Sequence, residues 1–153
     1  MHDTQSSLSE NSLLVVVTLD TLPGGVLNGD LVAFAEGRVE SASDSTSTIR
    51  IVSKISRDHG RSWGPLLVVA RNLVDGVERA AMNASPVVDT VHGTGRIVLV
   101  FKKLERSEWE IARGCGVMRT FCIVSDDHGQ QWYAEREITA EVHRPLSPGT
   151  AAE

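Results

Sequence analysis

The sequence predicts an all-β protein built from antiparallel sheets. Short runs rich in Val, Ile, Leu and Phe recur along it, and clusters of Gly, Asp, Asn, Ser and Pro separate them. No stretch of about ten residues or more carries a sustained helical apolar period. Strands of this length divided by turn residues fold naturally into hairpins.

The elements follow in order. Residues 13–19 hold the run Leu13 to Val17, closed by Pro23-Gly24-Gly25. After Asn28-Gly29, residues 30–36 form a second strand, and residues 48–56 a third that stops at Asp58-His59-Gly60. Residues 66–70 and 85–89 follow, with Met82 and Asn83 expected on the loop before the latter. His92-Gly93-Thr94-Gly95 then turns the chain into 95–102. The last strands are 117–125, ended by Asp127-His128-Gly129, and 133–138. Each separator offers a residue that tolerates positive φ or bonds its own backbone. Residues 105–113 read as a helical turn or a loop. About eight strands thus fill a body spanning 13–140, flanked by tails at 1–12 and 141–153 that are expected to be disordered.

Composition narrows the function classes. Lys and Arg number 15 against 20 Asp and Glu, a formal charge of −5, so no basic face for nucleic acid is expected. With 41% hydrophobic and 23% charged residues the chain is globular rather than disordered. Its longest apolar run falls far short of the roughly 20 residues that span a bilayer. The polar start Met1-His2-Asp3-Thr4 does not resemble a secretory leader, which makes a cytoplasmic location the default expectation. Five scattered histidines and two cysteines, Cys115 and Cys122, form no ligand spacing. No metal or cofactor is expected, and both thiols are expected to be reduced and mostly buried.

The most specific feature is an internal repeat. Ser56-Arg57-Asp58-His59-Gly60-Arg61-Ser62-Trp63 returns as Ser125-Asp126-Asp127-His128-Gly129-Gln130-Gln131-Trp132. In each, the Asp carboxylate can accept backbone N–H bonds inside a tight turn, and the Gly supplies a conformation costly for other residues. The Trp can cover the apolar root of the hairpin. Repeats at this spacing point to stacked structural units.

Ser-x-Asp-x-Gly-x-x-Trp resembles the Asp box of the sialidase (neuraminidase) family and related BNR-repeat propellers. Two further segments carry the resemblance. Leu31-Val32-Ala33-Phe34-Ala35-Glu36-Gly37-Arg38 resembles the family's LLAFAEGR strand, and Met82-Asn83-Ala84-Ser85-Pro86-Val87-Val88-Asp89 its NPSPVVD segment. The resemblance implies four-stranded blades of a six-bladed β-propeller, of which about two are present. It implies an exo-α-sialidase that removes terminal sialic acid from glycoconjugates, with a sialylated glycan or sialic acid as partner.

Individual residues acquire expectations from it. Arg38 would bind the sugar carboxylate, since a guanidinium fork matches that group; the alternative is an ordinary solvated strand-end arginine, and the motif context favours the carboxylate reading. Asp44, in a small polar loop, would be the general acid/base, a role that needs burial or a raised pKa; its neighbours alone also suit a loop cap. Met82 and Asn83 would line the sugar pocket, or fill a gap and make a turn. Glu108, with Glu110 beside it, resembles an acidic loop near the glycerol and N-acyl side. Trp63 and Trp132 are expected to be packing residues.

Parts of the family pattern are missing. No arginine precedes Arg38, so the FRIP arginine is absent, and the single tyrosine, Tyr133, follows Trp132 rather than occupying a nucleophile's place. The expectation is an N-terminal piece of a sialidase with little or no turnover of its own. A non-catalytic module for carbohydrate or protein binding, or a piece completing a propeller with another chain, remain alternatives. Two blades without caps would leave apolar faces and blade edges exposed, and with apolar strands such as 31–34 and 97–101 self-association is expected.

Overall fold

A computed structural model describes residues 15–18, 30–39, 48–92 and 94–143. It is all-β and antiparallel apart from two short helices. Strands β1 (Val15–Thr18), β2 (Leu31–Arg38), β3 (Ile49–Ser56) and β4 (Leu67–Ala70) form one sheet in that order. A small ribbon pairs β5 (Asn72–Val74) with β6 (Val77–Arg79). The second sheet runs β7 (Ala81–Val88), β8 (Ile97–Leu104), β9 (Met118–Ser125) and β10 (Tyr133–Glu137). Helix α1 (Glu108–Ala112) joins β8 to β9, and α2 (Thr139–Val142) follows β10. No described helix is long and apolar enough to cross a membrane.

Alternation along the strands explains why two sheets share a core. Side chains two apart lie on one face of a strand. On β2, Val32 and Phe34 are fully buried; on β8, so are Ile97 and Leu99. These residues meet in one cluster with Ile51, Val69 and Ile123. Burying such side chains contributes about 1.5–3 kcal/mol each, so the inter-sheet face is the main source of stability. Because β2 lies between β1 and β3, and β8 between β7 and β9, segments 31–34 and 97–101 are interior. Among the described strands, β1, β4, β7 and β10 are the sheet edges.

Three local expectations are corrected. The ribbon at 72–79 was not anticipated, although Asp75-Gly76 is a hairpin signal, with both residues at positive φ (50° and 77°). Met82 and Asn83 lie inside β7 rather than on a loop. A bulge between Met82 and Ser85 lets the strand continue through them, with Asn83 left-handed at φ 58°. Cys115 is exposed while Cys122 is buried. The former sits between Gly114 and Gly116 after α1, outside the strands.

The two repeat copies form matching corners, one between β3 and β4, the other between β9 and β10. Gly60 N donates to Ser56 Oγ at 2.8 Å, and Gly129 N to Ser125 Oγ at 2.9 Å. Asp58 Oδ1 accepts from Ser62 N at 2.8 Å, and Asp127 Oδ1 from Gln131 N at the same distance. Both glycines stand at positive φ, 82° and 84°, which any side chain would resist. The Ser62 hydroxyl, its amide and the Ser56 hydroxyl pull the Asp58 pKa from 3.8 down to about 2. A depressed carboxylate stabilises the fold above its unfolded value and loses that contribution as pH falls through the folded one. The first corner is therefore expected to loosen only as pH approaches 2. A carboxyl NMR titration of Asp58 should show a midpoint near there, moving up in Ser62→Ala; a midpoint near 3.8 in the parent chain would contradict the bonding described.

Candidate functional site

The alternation that buries Phe34 also places Glu36 and Arg38 on the same face of β2, toward the second sheet. Arg38 Nη2 donates to Glu36 Oε2 at 3.1 Å, and both side chains are almost wholly buried, at 5% and 6% exposure. The other carboxylate oxygen of Glu36 accepts the backbone N–H of Asn83 at 2.9 Å. One carboxylate thus ties the guanidinium of the first sheet to the bulge of the second. Asn is among the few residues that enter the left-handed region readily, and that conformation belongs to the residue whose N–H meets Glu36. Between Glu36 and Arg38, Gly37 permits close strand approach, for a Cβ there would come within 2.9 Å of Val52 Cγ1.

Apolar packing completes this end of the molecule. Met82 joins Ile49 and Leu104 in a small buried cluster, with Ala80 and Ile111 against it. Arg50 grips Glu78 through Nε and Nη2, both at 2.7 Å, anchoring the β5–β6 ribbon to β3. That hydrogen bonding holds the Glu78 carboxyl below its usual range. Asn72 Nδ2 donates to the carbonyls of Ala80 and Leu104 at 3.0 and 2.7 Å.

Helix α1 covers the same end through Ile111. A capping box starts it: Glu110 N donates to Ser107 Oγ at 3.3 Å, and Ser107 N to Glu110 Oε2 at 3.1 Å. Glu108 is exposed, whereas Glu110 serves the cap. Trp109 is 59% exposed, and the Arg113 guanidinium lies 3.5 Å from its ring centroid, a cation–π pair one helical turn apart.

The register therefore sorts the expected residues into two groups. Arg38 pairs with Ile49, and Met82 lies across from Lys102, at one end of the sheets. Ser56 pairs with Leu31, and Ser125 with Ile97, at the opposite end, where the corners carry Asp58, Gly60, Trp63, Asp127, Gly129 and Trp132. Tyr133 belongs to the corner end as well, its hydroxyl bonded to Asp126. Trp132 packs edge-on to Phe34 with centroids 5.7 Å apart, and its Nε1 donates to the Gly129 carbonyl at 3.1 Å. Trp63 remains 38% exposed. Asp44 lies outside the described residues, as do residues 1–12 and 144–153 of the expected tails.

Two contributors were not singled out from sequence. Glu36 was readable as an acid two positions before Arg38, hence on its face, but its link to Asn83 depends on the sheets meeting. Asp30, with a side chain 9% exposed, pairs with Arg57 of the first corner and with His128 Nδ1 of the second, the latter at 3.1 Å. Nothing in their spacing, with Asp30 and His128 98 positions apart, announces that contact. Among the described residues no group of three or more His, Cys, Asp or Glu could hold a metal ion.

No family model matches the sequence. Among solved structures the chain is similar to the Hadza microbial sialidase Hz136, with a TM-score of 0.64 and 22% sequence identity over 77% of this chain. It spans 25% of that protein's length. At this identity the likeness establishes the architecture alone: the two sheets have a sialidase-like fold.

Proposed function

We propose that the two sheets are neighbouring blades of a sialidase-type β-propeller, and that the end holding Glu36, Arg38, Met82 and Asn83 is part of a site for terminal sialic acid. The observation that carries this reading is the Glu36 carboxylate, which joins Arg38 and Asn83 across the sheets at the end opposite both corners. Arg38 supplies positive charge toward the sugar carboxylate, held in place by Glu36. Met82 and Asn83 supply the adjoining wall, Glu108 an acidic rim, and Asp44 the general acid/base for glycoside cleavage.

The residues of this chain support binding more directly than turnover. Retaining sialidases use a tyrosine nucleophile, and the only tyrosine here is engaged at the other end. A carboxylate-binding module is therefore the reading this chain fits by itself, with hydrolysis needing groups it does not carry.

The test is saturation-transfer NMR with free sialic acid. Binding is expected in the parent chain and in Asp44→Asn. It should weaken about tenfold or more in Arg38→Ala, since a charge-assisted hydrogen bond contributes about 1.5–3 kcal/mol. Absence of binding in the parent chain, or equal binding in Arg38→Ala, would overturn the assignment.

A further inference from the structure

The repeat allows each sheet to be compared with the other, position by position. Leu31 pairs with Ser56 as Ile97 pairs with Ser125, so Val32 corresponds to Val98 and Phe34 to Val100. The second corner reaches across to the first sheet. Its Trp132 rests on Phe34, and a Cβ on Gly129 would touch its own sheet's Ile97 at 3.7 Å and the neighbour's Val32 at 3.3 Å. The first corner repeats only half of this. A Cβ on Gly60 would touch its own Leu31 at 3.2 Å, and among the described residues no neighbouring sheet stands beyond it.

What the first corner faces is an apolar surface. Val16, Ala33, Ala35, Trp63 and Leu66 line a cavity of about 270 Å³ on the side of the first sheet away from the core, with Lys54 its charged member. Val16 is 48% and Val68 44% exposed. On the second sheet, Val98 pairs with Val124 and Val100 with Cys122. Since Ile97, Leu99 and Ile123 face the core, these four face away by strand alternation, alongside Val87, which is 61% exposed. This outer face of the second sheet is the positional equivalent of the first sheet's inner face, the one that receives Trp132.

We infer that the occupant of the first sheet's outer face is the second sheet of another copy of this chain. The intramolecular interface already shows the mode of docking, and repetition of it brings Trp63 of one copy against Val100 of the next, with Gly60 over Val98. Such a contact joins two different surfaces, so association is head-to-tail: a ring where the rotation closes, a filament where it does not. It rests on the sheet geometry alone and is independent of the sugar reading.

The experiment is light scattering of the full chain after size exclusion, over a range of concentrations. The parent chain should show a mass above 16.6 kDa that rises with concentration. Val68→Lys places a charge on the first sheet's outer face and Val87→Lys on the second's; both positions are exposed, so both variants should keep the far-UV circular dichroism of the parent. Each variant alone should run as a monomer, because head-to-tail contact needs both faces. An equimolar mixture should give a species of twice the monomer mass and nothing larger, since one good face remains on each partner. A monomeric parent chain at every concentration overturns the inference. So does self-pairing of either variant alone, which would mean that like faces join, and so does a mixture that stays monomeric.

Discussion

Glu36→Ala is expected to lose about 3–5 kcal/mol of stability, the range for removing one partner of a buried ion pair. Both side chains of the Glu36–Arg38 pair are nearly inaccessible, so solvent screening offers little relief. The loss has two parts: a guanidinium left without its carboxylate, and the Asn83 N–H left without its acceptor. Glu36→Gln should lose less, because an amide oxygen can still accept from Asn83. Glu36→Leu combined with Arg38→Leu should recover part of the loss, since both charges of the pair are then removed together. Urea unfolding in the Val68→Lys background, where association does not complicate the transition, measures all three. Equal stability of Glu36→Ala and the parent would show that the carboxylate does not join the sheets.

Phe34→Ala is expected to cost about 3–5 kcal/mol, as large-to-small changes of a buried aromatic do. Phe34 is fully buried and is the first sheet's contact for the corner tryptophan of the second. A double-mutant cycle with Trp132→Leu should give a coupling of about 0.5–1.5 kcal/mol for the edge-to-face pair. Trp132 emission should shift to the red in Phe34→Ala as water reaches the ring. Additive effects of the two substitutions would show that the rings merely share a core. Both large predictions concern side chains on one face of β2, two residues apart. The strand that aligns the candidate site also closes the hydrophobic interface.

The corners illustrate what local sequence can specify. Serine, aspartate and glycine at fixed spacing bond within a few residues of one another, so two copies of the motif give the same φ values and hydrogen bonds. Strand positions were readable for a similar reason, because an alternating run carries its own period. The ribbon at Asn72–Val74 and Val77–Arg79 was legible through Asp75-Gly76, yet its strands are three residues each, too short for a periodic signal. Asn83 was read as a turn former or a sugar ligand. Its backbone, rather than its side chain, makes the bond to Glu36 described here, and its residue type suits the left-handed conformation of the bulge.

By itself, the amino-acid order determined an acidic, antiparallel all-β chain with two like corners and the turn residues that form them, because those features arise from interactions among near neighbours. Only the tertiary structure decided that Glu36 joins Arg38 to Asn83, that Asp30 joins Arg57 to His128, and that Trp132 finds an aromatic partner while Trp63 stays half open. Each of these depends on the rotation and separation of two sheets, which is set by how all the buried side chains between them pack together and is encoded at no single position.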